Sequence, residues 1–261
     1  MLSNIDKGIK MVEKPKKDIG DQRIAMLIDG DNAQPSLIEH MLAETSKYGL
    51  VTIRRIYGDW TASNMSGWKD KLQTYAIQPI QQFRYTTGKN ATDSAMIIDA
   101  MDILYSGGMD AFCIVSSDSD YTRLATRIRE KGVFVIGIGK KITPRAFVNG
   151  CDVFVYTENI LPEDSKAKLK TKKKTQNDEE TASPDPVPLL QNAMDMAAQD
   201  DGWAFLGTLG HHLRQLDPGF DSRTYGYKQL SLLIRAYPKD FALKEIKSSD
   251  GNSVLSVRIK D

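Results

Sequence analysis

The chain has 261 residues, of which 41% are hydrophobic and 26% charged, with a formal net charge of +1. That length accommodates one large domain, or a medium domain with a small companion, and the near-neutral balance excludes a uniformly basic surface, so any affinity for nucleic acid must come from local clusters. No stretch approaches the roughly 18 apolar residues that span a bilayer, residues 1–20 lack a signal-peptide core, and Cys113 and Cys151 form neither a C-x-x-C pair nor a disulfide framework, so a cytoplasmic protein without membrane contact is expected.

Residues 1–21 are polar and lysine-rich and read as a disordered tail. From Arg23 the apolar run Ile24–Ile28 suits a strand buried on both faces of a parallel sheet, and it stops at Asp29-Gly30-Asp31-Asn32. Pro35, Leu37, Ile38, Met41 and Leu42 predict a helix that ends by Gly49. Strands are predicted at Val51–Tyr57, Ile77–Phe83, Ala111–Val115, Val133–Ile138 and Asp152–Tyr156, alternating with helices over Asn64–Tyr75, Thr92–Tyr105 (Thr92 as N-cap) and Tyr121–Glu130. This alternation implies an α/β fold of Rossmann-like type, a parallel sheet with helices on both faces, over residues 22–160. Residues 161–186 carry a lysine run, an acidic run and Ser-Pro-Asp-Pro, the composition of a charged flexible linker. Three helical patterns and two strand patterns joined by Ser248-Ser249-Asp250-Gly251 follow, so residues 187–261 read as a small winged-helix-like α+β domain.

The candidate chemistry lies in the acids. Ser116-Ser117-Asp118-Ser119-Asp120 follows the fourth strand as Asp29-Gly30-Asp31 follows the first. In a doubly wound sheet of order 3-2-1-4-5 those strands are neighbours about 4.8 Å apart. Asp29 and Asp118 would then face each other, and two such carboxylates require a shared proton or a cation, for which Mg²⁺ or Mn²⁺ is the chemical match. Asp93 falls on the apolar stripe of its helix, at the sheet edge where the loops gather, either as a third ligand or as a first-turn charge favoured by the helix dipole. Asp31 and Asp120 read either as supporting ligands or as loop charges. Asn32 could orient a carboxylate or water, and Ser116 and Ser117 could cap the next helix or touch substrate. There is no glycine-rich dinucleotide motif or P-loop, and His40, His211 and His212 fit no triad or zinc spacing.

The Asp29-Gly30-Asp31-Asn32 turn, Thr92-Asp93 opening a helix, Ser116–Tyr121 and the later Asn149–Phe154 together resemble the NYN domain of the PIN-like nucleases, with the LabA-like group closest. That resemblance implies a metal-dependent endoribonuclease acting on single-stranded RNA. Asp29, Asp93 and Asp118 would be catalytic and metal-binding, with Asp31, Asn32, Asp120 and Ser117 in support, and cleavage would leave 5′-phosphate and 3′-hydroxyl ends. Phe205, Leu209, Leu213, Phe220, Tyr225–Tyr227, Leu230, Leu233 and Phe241 resemble the OST-HTH/LOTUS domain, which implies an RNA-binding module.

Around these motifs Lys89, Lys140, Lys141, Arg145, Arg54, Arg55 and Arg84 could track phosphates. Trp60 could stack a base or simply cover the core. In the C-terminal unit Arg214, Arg223, Lys228 and Arg235 are the candidate RNA contacts. A protein partner or a homodimer through either domain is also expected as a possibility. Two rival readings are a non-catalytic RNA-binding regulator on a nuclease scaffold and a haloacid-dehalogenase-like phosphatase using Asp29-Gly30-Asp31.

Overall fold

A computed structural model describes residues 21–83, 91–161, 185–247 and 253–260. The predicted tail, most of the linker, the tip of the C-terminal hairpin, Arg84 and Lys89 lie outside these residues.

The first unit is built on a parallel sheet of order β3-β2-β1-β4-β5-β6. Its strands are β1 (Arg23–Asp29), β2 (Leu50–Gly58), β3 (Gln78–Gln81), β4 (Ala111–Val115), β5 (Phe134–Gly139) and β6 (Val153–Tyr156). Every residue of β1 after Arg23 is buried, which explains the uninterrupted apolar run. Ile24, Met26 and Ile28 join one core with α1 (Ile38–Thr45), α2 (Lys69–Thr74) and α6 (Thr157–Ile160). Ala25 and Leu27 join the opposite core with α3 (Ala91–Ser106), α4 (Thr122–Glu130) and α5 (Arg145–Gly150). Alternate residues thus serve two apolar layers, the pattern of a sheet sandwiched between helices.

Several predicted boundaries move. The helix predicted over Asn64–Tyr75 is a 3-10 turn over Ser63–Trp68 followed by α2, and the strand predicted over Ile77–Phe83 shortens to β3. α3 begins at Ala91, so Thr92 lies within its first turn and not at the cap, and the buried Thr92 hydroxyl has no hydrogen-bond partner among the described residues. Cys113 and Cys151 are both buried free thiols. No helix among the described residues is long and apolar enough to cross a membrane.

The second unit packs α7 (Val187–Ala197), α8 (Leu206–Leu216) and α9 (Leu230–Arg235) on one face of a three-stranded antiparallel sheet. Its strand order is β7 (Ala204–Phe205), β9 (Ser253–Ile259), β8 (Phe241–Lys247). This matches the predicted winged-helix outline.

The two units touch through a polar seam. At the edge strand β6, the Phe154 N–H donates to the Pro218 carbonyl at 2.7 Å. Gly219 lies so close that a Cβ would sit 2.7 Å from the Tyr156 hydroxyl. Asn159 donates to Thr224 at 2.9 Å, and Arg145 meets Asp217 at 3.1 Å. Arg223 bridges Asp221 of its own turn and Glu44 of α1, at 2.6 Å to each. Burial lowers the charge preference of Glu44, but the guanidinium of Arg223 and the ammonium of Lys47 outweigh it and hold the carboxyl below its usual range. Arg223→Ala is expected to leave Glu44 half-paired in a poorly solvated seam and to weaken docking by about 2 kcal/mol. Calorimetry should show the C-terminal unit melting earlier, and an unchanged thermogram would count against the clamp.

Candidate active site

Asp29, the last residue of β1, is 1% exposed and pairs in register with Tyr57 of β2. Four donors surround its carboxylate. Oδ1 accepts the N–H groups of Asp31 (3.1 Å) and Asn32 (3.3 Å). Oδ2 accepts the Asn32 amide (2.7 Å) and the Ser116 hydroxyl (2.8 Å). The turn that supplies them requires Gly30, whose Cβ would fall 2.6 Å from the Met65 Cε and 2.7 Å from the Tyr57 carbonyl. Burial raises the carboxyl pKa above its ordinary 3.8; hydrogen bonds from Asn32 and Ser116 oppose this, and the charges of Asp93 and Asp31 add to it.

Ser116 links two acids. Its hydroxyl donates to Asp29 and accepts the Asp118 N–H at 3.1 Å. Asp118 then caps a short turn by accepting the Asp120 N–H at 2.9 Å. Asp93 projects from the core side of α3, in line with buried Met96 and Ala100, and accepts the Tyr121 hydroxyl at 2.7 Å. Tyr121 is buried, and burial followed by the charges of Asp29, Asp93 and Asp118 keeps its hydroxyl protonated far above the usual tyrosine range. Tyr121 therefore serves as a fixed donor to Asp93. Sequence reasoning missed Tyr121, although it closes the very motif that carries Asp118 and Asp120.

Asp93, Asp118 and Asp120 each offer a carboxylate oxygen, and these lie within 4.8 Å of one another. The expected trio had Asp29 in place of Asp120. Asp29 lies outside the cluster, its oxygens turned to Ser116 and the Gly30 turn. Among the described residues neither Asp93 nor Asp118 pairs with a lysine or arginine. Three carboxylate oxygens crowded within that distance fit a hard divalent ion.

The remaining predicted residues divide. Asp31 accepts from Asn64 at 3.2 Å. Ser117 accepts the Lys140 N–H at 2.9 Å, which ties the loop after β5 to the acid-bearing loop and keeps Lys140 and Lys141 on this edge. Lys141 is exposed, and its N–H donates to Glu158. Arg54 is drawn away to the Tyr75 carbonyl (2.8 Å), and Arg55 to Asp99 (2.5 Å). The Trp60 indole N–H donates to the Ile80 carbonyl (3.1 Å) and the partly buried ring packs on the core. Arg145 and Arg223 are consumed by the seam, and Arg214 lines a cavity there of ≈ 210 Å³. Lys228 and Arg235 are exposed.

The raised pKa of Asp29 has a defined sign. Its contribution to stability is complete below 3.8 and is lost as pH climbs through the raised value, because the fold favours the protonated form. In EDTA, Asp29→Asn should therefore gain stability over the wild type progressively as pH rises from that point. Urea midpoints across a pH series would read this, and a difference independent of pH would contradict it.

The sequence matches the family model of the NYN domain over residues 23–161 and that of the OST-HTH/LOTUS domain over residues 180–252. An uncharacterized protein of Methanocaldococcus jannaschii, MJ0482, is 30% identical over 134 residues, covering 50% of this chain and 52% of that protein. The chain thus spans about half the length of this curated relative. Among solved structures, the protein of unknown function VPA0982 from Vibrio parahaemolyticus aligns with a TM-score of 0.46 at 18% identity, covering 57% of this chain and 98% of its own. The uncharacterized protein NE0665 of Nitrosomonas europaea aligns with a TM-score of 0.27 at 33% identity, covering 33% of this chain and 88% of its own. The chain belongs to the NYN family, its NYN domain followed by an OST-HTH/LOTUS domain.

Proposed function

We propose that this protein is a divalent-metal-dependent endoribonuclease that cuts single-stranded RNA, with the LOTUS domain holding the substrate. The observation that carries this reading is the convergence of Asp93, Asp118 and Asp120 within 4.8 Å at the edge of the sheet where the strands end. NYN domains are typically nucleases, and this acid cluster is the chemistry such an activity needs. Those three residues would hold an Mg²⁺ or Mn²⁺ ion. Such an ion supplies a water of lowered pKa and a counter-charge for the phosphate.

The protein's own groups prepare the site. Asp29 and Ser116 fix the peptide from which Asp118 projects, so the acid needs no reorganisation on binding substrate. Tyr121 orients Asp93 through one hydrogen bond and leaves its second oxygen available. Lys140 and Lys141, anchored through Ser117 and Glu158, place positive charge beside the acids for a phosphate backbone. The phosphatase alternative loses support because Asp29, its required nucleophile, is 1% exposed with both oxygens engaged.

The test is cleavage of a labelled single-stranded RNA by purified protein with Mg²⁺ or Mn²⁺ and with EDTA. Asp93→Asn and Asp118→Asn are each expected to lower the rate by more than about a hundredfold while leaving the fold intact. EDTA should abolish cleavage, and the ends formed should be 5′-phosphate and 3′-hydroxyl. Binding of RNA without decay by the wild type would instead establish the regulator reading, and decay that survives both substitutions would defeat the assignment of the site.

A further inference from the structure

The C-terminal sheet has one face covered by helices and one facing outward. Ala204, Leu243 and Val257, paired across β7, β9 and β8, pack into the core with Leu190, Leu209 and Ile234. Side chains alternate across a strand, so the neighbours of those three residues point the other way. Phe205, Ser256 and Lys244 form the next row on that outer face, with Ser256 itself only 1% exposed, and Arg258 stands beside it, paired with Ala242. Trp203, just before β7, lies over the same face, with the Lys244 Nζ 3.9 Å and the Arg258 guanidinium 5.1 Å from its ring centroid.

This face combines two features that rarely occur together on an idle surface. It is aromatic and apolar, with Phe205 41% exposed and Ile246 37% exposed. It is also cationic at its centre. Asp195, Asp200 and Asp201 line a cleft together with Arg258. Rings flanked by lysine and arginine are what an unpaired nucleic-acid strand requires, bases stacking on the rings while phosphates meet the cations. A double helix would present only its backbone and leave the aromatic surface unused.

We infer that the outer face of the β7-β9-β8 sheet, centred on Trp203, Phe205, Lys244 and Arg258, is the surface by which the C-terminal domain binds single-stranded RNA. Lys244 exchanges the indole for a phosphate as a base takes its place on the ring. The assignment also replaces two of the cations first considered in this domain, since Arg223 is committed to the seam and Arg214 lines its cavity. It rests on the ribonuclease reading only for the class of ligand, and binding is measured in EDTA, so a failure of cleavage and a failure of this surface are read separately.

The experiment is fluorescence anisotropy of the full chain with a labelled, unstructured RNA of about 20 nucleotides, long enough for several stacking sites. Trp203→Ala and Lys244→Glu are each expected to weaken binding about tenfold. Trp203→Phe, which keeps a ring, should bind nearly as tightly as wild type and guards against misreading a folding defect. Arg258→Glu should flatten the salt dependence by about one charge. Lys131→Glu, an exposed cation at the end of α4 in the N-terminal domain, is the control and should change little. Wild-type protein that does not bind the RNA, or a loss from Lys131→Glu as large as from Lys244→Glu, would overturn the assignment.

Discussion

The crowding of carboxylates at the end of two neighbouring strands is the constraint around which the N-terminal domain is arranged. Like charges in a poorly solvated place repel, and the fold answers with donors. Asp29 receives four hydrogen bonds, Asp93 receives one from Tyr121, and Ser116 stitches Asp29 to the loop carrying Asp118. The acids therefore differ in kind. Asp29 is buried, with both oxygens hydrogen-bonded. Asp93, Asp118 and Asp120 are less buried and bring their carboxylates close together. A strand followed by acid, glycine or serine and acid thus gives a buried, fully bonded carboxylate after β1 and two more exposed acids after β4, which α3 joins with Asp93.

The same economy governs the cations. Four basic residues that looked free in the sequence are committed: Arg54 to a helix-terminal carbonyl, Arg55 to Asp99, Arg145 to Asp217 and Arg223 to Glu44 and Asp221. Those left beside the acid cluster, Lys140 and Lys141, sit in a loop whose backbone is tied down by Ser117 and Glu158. That loop is thereby tied to the acid-bearing loop. In a protein of near-zero net charge, any attraction for a polyanion has to come from such located groups and not from its overall field.

Much of the fold was legible in the chain. The Ile24–Ile28 run, the alternation of periodicities and the acids after two strands were enough to specify a parallel sheet, its central strands and the edge bearing the site. Four things were not legible, each for a physical reason. Strand spacing alone put Asp29 opposite Asp118, but it could not show that the Ser116 hydroxyl would stand between them. Asp120 reads in the sequence as a supporting ligand or a loop charge, and the turn in which Asp118 accepts the Asp120 N–H, together with the closeness of its carboxylate to those of Asp93 and Asp118, shows only in the structure. Glu44 and Arg223 are paired across 179 positions in the chain, a contact no local pattern encodes. Tyr121 read as an ordinary helix start because its phenol acts through a residue 28 positions away.

The contact between Phe154 and Pro218 has a consequence for solubility. β6 is the last strand of its sheet, and a bare outermost strand is a template on which further chains can assemble. Here its central N–H is taken by a carbonyl of the second domain. The partner residue is a proline, which accepts a hydrogen bond but has no N–H of its own with which to extend the ladder. The junction between the domains therefore doubles as a stopper against polymerisation, and the N-terminal domain cut loose from its companion would carry the sticky margin that the intact chain keeps sealed.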